Sequence, residues 1–163
     1  MRFRTLAISL AALTLALPPA GLAQQADAED GASSDAEANE RTLEIYDAAD
    51  VTLEEFQWTR RPVVVFADTP ADPRFAEQMQ LLTSRPFDLI ERDVVVITDT
   101  DPDADSEVRR TLRPRGFQMT LIGKDGQVEL RKPSPWTARE ISRSIDKMPL
   151  RQQELREQKA GAG

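Results

Sequence analysis

The chain has 163 residues, 28 of them acidic and 21 basic, with no histidine and no cysteine. Without cysteine it can form no disulfide, thiol redox centre or iron–sulfur cluster; without histidine as well, zinc and copper lose their preferred ligands and a Ser-His-Asp triad cannot be built. A sequence pI near 4.7 argues against nucleic acid, whose phosphates demand a basic face, and the length fits one domain with tails.

Residues 1–23 read as a secretory signal. Arg2 and Arg4 precede an uncharged run of 12 residues, Leu6 to Leu17, which Pro18-Pro19 breaks before Gly21-Leu22-Ala23. Small residues three and one before the cut are the cleavage pattern, and the run is short of the roughly 20 apolar residues that span a bilayer. Cleavage after Ala23 leaves 140 residues with 19 basic and 28 acidic groups, a net charge of −9. Segment 24–40 holds six acids, no base and no large apolar side chain, so it is expected to be a disordered acidic linker. Arginine outnumbers lysine 17 to 4 and asparagine occurs once, a bias of GC-rich bacterial genomes that would make the destination a periplasm.

The domain is expected over 41–149. Thr52-Leu53-Glu54-Glu55 matches a capping box ahead of a short helical turn. Val63–Ala67 is a continuous apolar run, the mark of a strand buried on both faces. Asp72 then caps a helix with Pro73 at its first position, and Phe75, Met79 and Leu82 give that helix one apolar face. Pro86 breaks or restarts it before the second buried strand, Val94–Ile97. Strand, helix and strand form a parallel βαβ unit.

A short helix over 106–112, with Val108 and Leu112 on one side, follows an acidic loop. Phe117–Ile122 is the third strand, and Asp125-Gly126 supplies the positive φ angles of a hairpin turn before Val128–Leu130 returns antiparallel. Thr137-Ala138-Arg139-Glu140 is a second capping box, opening a helix with Ile141, Ile145 and Met148 buried. Residues 150–163 read as a charged C-terminal tail.

The order β-α-β-α-β-β-α predicts an α/β, thioredoxin-like three-layer domain on a mixed four-stranded sheet. The stretches FQWTRRPVVVFADTPADPRF, ERDVVVI, LIGKDGQVELR and IDKMPLRQQE, within residues 50–157, resemble the bacterial domain-of-unknown-function family 4174. That resemblance implies a thioredoxin-like fold similar to domains repeated in some animal extracellular matrix proteins, and it brings no established activity.

Active thioredoxins carry Cys-x-x-Cys where this chain has the loop Asp68 to Pro73, whose side chains offer only hydroxyls and carboxylates; disulfide exchange is therefore impossible here. The cis-proline position of that fold is taken by Gln118, where a trans bond is expected because a non-proline cis bond costs about 2.5–4 kcal/mol. Asp68, Asp72 and Arg74 at the helix entrance, with Arg151 in the tail, are the candidate binding residues. Asp72 reads first as a cap and Asp68 as an acceptor for loop amides; a general acid/base pair would need their pKa values split. In the run Asp99 to Asp105, an EF-hand pattern fails at Ala104 and Arg110.

Arg109, Arg110, Arg113 and Arg115 form the one basic cluster, and Trp58 and Trp136 read as core or cover. The expectation is an exported, redox-inactive module that binds a protein, peptide or envelope component, with no cofactor, no metal, no nucleic acid and no membrane span after signal cleavage. The alternatives are a carboxylate-based enzyme and a small-ligand or calcium binder.

Overall fold

The computed structural model describes residues 42–162; the expected signal and acidic linker lie outside the described residues. The two apolar runs are neighbouring parallel strands. Strand β2 (Arg61–Phe66) pairs with β3 (Val94–Asp99) in the register Val63↔Val96 and Val64↔Ile97. Strand β4 (Gln118–Ile122) runs antiparallel on the other side of β2, with Val64 opposite Thr120, and β5 (Val128–Lys132) returns antiparallel beside β4. The peptide bond before Gln118 is trans.

Among the described residues the sheet has five strands, one more than expected. Strand β1 (Ile45–Asp47) lies parallel to β3 on its outer side, giving the order β1-β3-β2-β4-β5. It contains no apolar run, and its two end residues are exposed, so a search for buried strands passes over it. The strand order and directions are those of a thioredoxin-like α/β fold.

Alternation along the central strands divides the core in two. Val63, Val65, Val94, Val96, Met119 and Leu121 face Leu82 of helix α1 (Pro73–Thr83), Leu89 of α2 (Pro86–Ile90), and Ile141 and Ile145 of α4 (Ala138–Ile145). Val64, Phe66, Val95 and Ile97 face Val108 and Leu112 of α3 (Glu107–Leu112) and Phe56 of a 3₁₀ turn (Leu53–Phe56). Each fully buried aliphatic side chain contributes about 1.5–3 kcal/mol, so both faces must be covered for this sheet to form.

The caps are those the sequence predicts. Thr137 Oγ1 accepts from the Glu140 amide at 3.2 Å, while Glu140 Oε2 accepts from the Thr137 amide at 2.8 Å. The Glu55 carboxylate accepts from both the amide and the hydroxyl of Thr52. Buried Gln78 in α1 satisfies both ends of its amide on the Trp136 backbone, at 2.8 Å each, which fixes the approach to α4. Pro86 restarts the helix rather than ending it. Most of the stretch 150–163, read as a charged tail, belongs to helix α5 (Pro149–Gly161), whose side chains return to the sheet.

Candidate functional site

The corner that bears the thiols in a redox-active thioredoxin lies after β2. Ala67 donates its amide to Asp99 O at 2.9 Å, and the chain turns through Asp68–Asp72 into α1. Asp72 Oδ1 accepts from the Arg74 amide at 2.9 Å and from Arg74 Nε at 3.2 Å, and Oδ2 accepts from Arg74 Nη2 at 2.8 Å. The Arg74 hydrogen bonds hold the Asp72 carboxyl below its ordinary range, against a smaller upward push from desolvation. Arg74 in turn lies 5.3 Å over the Phe117 ring, and the Asp68 carboxylate sits near Gly116, adding to the field on Arg74.

The structure thus brings Asp68, Asp72 and Arg74 together, but as a capped and paired helix entrance. An ionised carboxylate committed to three donors is poorly suited to act as general acid or base, which calls for a pKa raised toward the working pH.

The acidic loop is committed in the same way. Buried Asp99 accepts from Arg109 through Oδ1 (2.7 and 3.0 Å) and from Ser106 Oγ through Oδ2 (2.7 Å). Ser106 also caps α3, and Asp101 caps the 3₁₀ turn Pro102–Ala104. Arg109 therefore leaves the basic cluster for the interior, where it lies 5.5 Å over Phe66. Among the described residues, no group of three acidic side chains gathers as metal ligands.

Arg151 is placed at the other end of β2. It is buried, bonding Glu154 Oε2 and Glu91 O at 3.2 Å each, so it pins α5 rather than facing a ligand. This pole carries features that sequence reasoning missed. Arg61, 1% exposed, donates to Arg92 O at 3.0 Å and to Glu154 Oε1 at 2.8 Å. Lys124 Nζ lies 2.8 Å from Asp93 Oδ2 and 3.2 Å from Glu154 Oε1. Burial pushes the Glu154 carboxyl up, but the hydrogen bonds from Arg61, Lys124 and Arg151 outweigh it and the net shift is downward.

Trp58, read as core or cover, is instead 66% exposed. Its φ is +65°, a region that bulky residues avoid, and its amide donates to Lys124 O at 2.6 Å. Gln57 Nε2 reaches Asp125 O at 3.2 Å, so the 3₁₀ turn is stitched to the β4–β5 hairpin. A groove of about 640 Å³ opens between Trp58, the hairpin turn and the first turns of α5, with Arg61 and Lys124 among its lining. The sequence signal was the pair Arg60-Arg61 at the entrance to a buried strand, where a charge needs a distant partner.

The model of a family described as a domain of unknown function, DUF4174, matches residues 52–154. The chain is similar to the zebrafish (Danio rerio) coiled-coil domain-containing protein 80, at 29% identity over 156 residues, 77% of this chain and 17% of that protein. It therefore spans about a sixth of that relative's length. Among solved structures, it is similar to chloroplastic thioredoxin z (18% identity, TM-score 0.49, 66% of this chain and 94% of that one). A second is the reduced desulfothioredoxin of Desulfovibrio vulgaris Hildenborough (15% identity, TM-score 0.49, 66% of this chain and all of that one).

Proposed function

This chain belongs to the DUF4174 family, and on that premise we propose that it is an exported, redox-inactive thioredoxin-like module that binds a peptide or a segment of another protein in the cell envelope. The observation that carries the reading is the contrast between the two poles of the sheet. At the thioredoxin corner, Asp72 and Arg74 close on each other and the chain has no sulfur nucleophile. At the opposite pole an exposed tryptophan overhangs a groove. Aromatic anchors beside desolvated charges are where binding energy concentrates at protein interfaces. Residues 1–23, with their basic start, apolar run and small residues before the cut, support export.

The test is a selection of randomised nonapeptides displayed on phage against the full chain, purified and immobilised. Related peptide sequences are expected to enrich above a blank surface over successive rounds. If none enriches, the module is not a peptide binder. Intact-mass measurement of protein recovered from a bacterial envelope fraction is expected to show a chain beginning at Gln24; an uncut chain confined to the cytoplasm overturns export.

A further inference from the structure

The groove beside Trp58 holds charges that the rest of the fold leaves unanswered, and they are sorted by sign. On the α5 side, Arg156 has no acidic partner among the described residues. The first turn of α5 has no side-chain cap, so the Leu150 and Arg151 amides lack partners within the helix and contribute partial positive charge. Arg61 and Lys124 also line the groove, but their charges are already answered by Glu154 and Asp93. On the hairpin side, Asp125 and Glu129 line the groove and have no cationic partner among the described residues. The apolar part of the lining is the Trp58 indole with Pro149 and Leu150 of the first turn of α5.

We propose that this groove holds an extended peptide segment with an acidic and a basic residue flanking an apolar one, its acidic group toward α5, its basic group toward Asp125 and Glu129, and its apolar side chain on Trp58. The inference rests on the peptide-binding reading above and narrows it. A uniformly anionic partner, such as a nucleic acid or an acidic lipid surface, would face Asp125 and Glu129; a uniformly cationic one would face Arg156 and the open end of α5. Only a ligand of both signs satisfies both walls, and electrostatic complementarity of this kind selects partners and fixes register. The apolar centre follows from Trp58: the turn that ties its amide to Lys124 O needs left-handed backbone at this position, but it does not need a bulky indole left 66% exposed, and a bulky residue kept in such a conformation points to function.

The experiment continues from the phage selection. Enriched nonapeptides, resynthesised with a fluorophore, are titrated by anisotropy against the full chain and its variants. The expected sequences carry an acid and a base within a few positions of an apolar centre. Trp58→Ala is expected to weaken them at least tenfold and Arg156→Glu about fivefold, with urea midpoints confirming that both variants are folded. A fresh selection on Asp125→Lys is expected to turn the preference toward peptides with acids on both sides, a gain that misfolding cannot mimic. Peptides that enrich but bind both single variants as tightly as the parent leave the peptide-binding reading standing and overturn the groove. Peptides of one sign only overturn the two-sign ligand.

Discussion

Arg61, the first residue of β2, and Glu154, in the second turn of α5, are 93 residues apart in the chain and meet at 2.8 Å. Arg61 is fully enclosed, and its other hydrogen-bond acceptor is the neutral carbonyl of Arg92. Asp93 Oδ2 stands farther off, 3.7 Å from Arg61 Nη1, and is itself held by Lys124 at 2.8 Å. Glu154 is thus the close counter-charge, and a buried charge that loses it is strongly destabilised. Glu154→Gln is therefore expected to lower unfolding stability by about 3 kcal/mol, read from urea denaturation. Gln153→Ala, one position away on the same helix, is expected to change it by less than about 0.5 kcal/mol. Equal effects from the two would show that Arg61 does not depend on Glu154.

The same carboxylate sets a pH dependence. Glu154 is held below its ordinary value in the folded chain, and so is Asp72. A depressed carboxyl pKa means that the unfolded state binds protons more readily, so stability is fully present above the unfolded value of about 4.3 for glutamate and is lost as pH falls through the folded one. Urea midpoints are expected to hold between pH 7 and 5 and to drop steadily from pH 4 to pH 2.5. The drop should be shallower in Glu154→Gln, which has no proton to take up there. Parallel pH profiles would remove Glu154 from the account.

Much of this architecture was legible from short-range pattern. Val63–Ala67 and Val94–Ile97 declare themselves because a strand covered on both faces needs no polar positions. Asp72, Thr137 and Asp125-Gly126 declare themselves because caps and tight turns depend on residues a few positions apart. Strand β1 did not, since an edge strand with exposed end residues carries neither an apolar run nor a clean alternation. Arg61 draws no reading from the sequence and Arg151 reads as a candidate binding residue in the tail, because charge normally is surface. Their burial depends on the carboxylates of Glu154 and Asp93, and for Arg61 both lie far away in the chain, so nothing in local spacing encodes that meeting. Trp58 misled for the converse reason: indoles are usually covered, and its exposure follows from the turn geometry that ties it to Lys124.

That geometry makes Trp58 a site where stability and binding pull apart. Left-handed backbone costs a non-glycine residue about 1–2 kcal/mol, partly offset by the greater flexibility glycine has when unfolded. Trp58→Gly is expected to be at least as stable as the parent, with a gain of up to about 1 kcal/mol, while losing the peptides selected on the parent. A loss of stability above about 1 kcal/mol would mean that the indole is held by packing and is not kept for a ligand.

At the other pole, Asp99 decides between a structural acid and a cation ligand. It is buried, both its oxygens accept hydrogen bonds, and Arg109 brings a full positive charge to 2.7 Å. A calcium ion would have to displace that guanidinium, which is itself bonded to Ala67 O at 3.0 Å and stacked on Phe66. Asp99→Asn is expected to destabilise the domain by about 3 kcal/mol, because it leaves Arg109 without its counter-charge. Calcium and chelator are expected to leave the melting temperature of the parent chain unchanged. A cation bound at 100 times its dissociation constant would add about 2.7 kcal/mol, a rise of roughly 10 °C for a domain of this size that calorimetry resolves easily. A calcium-dependent rise of that order, abolished in Asp99→Asn, would make the acidic loop a cation site and overturn the structural role assigned to Asp99 and Arg109.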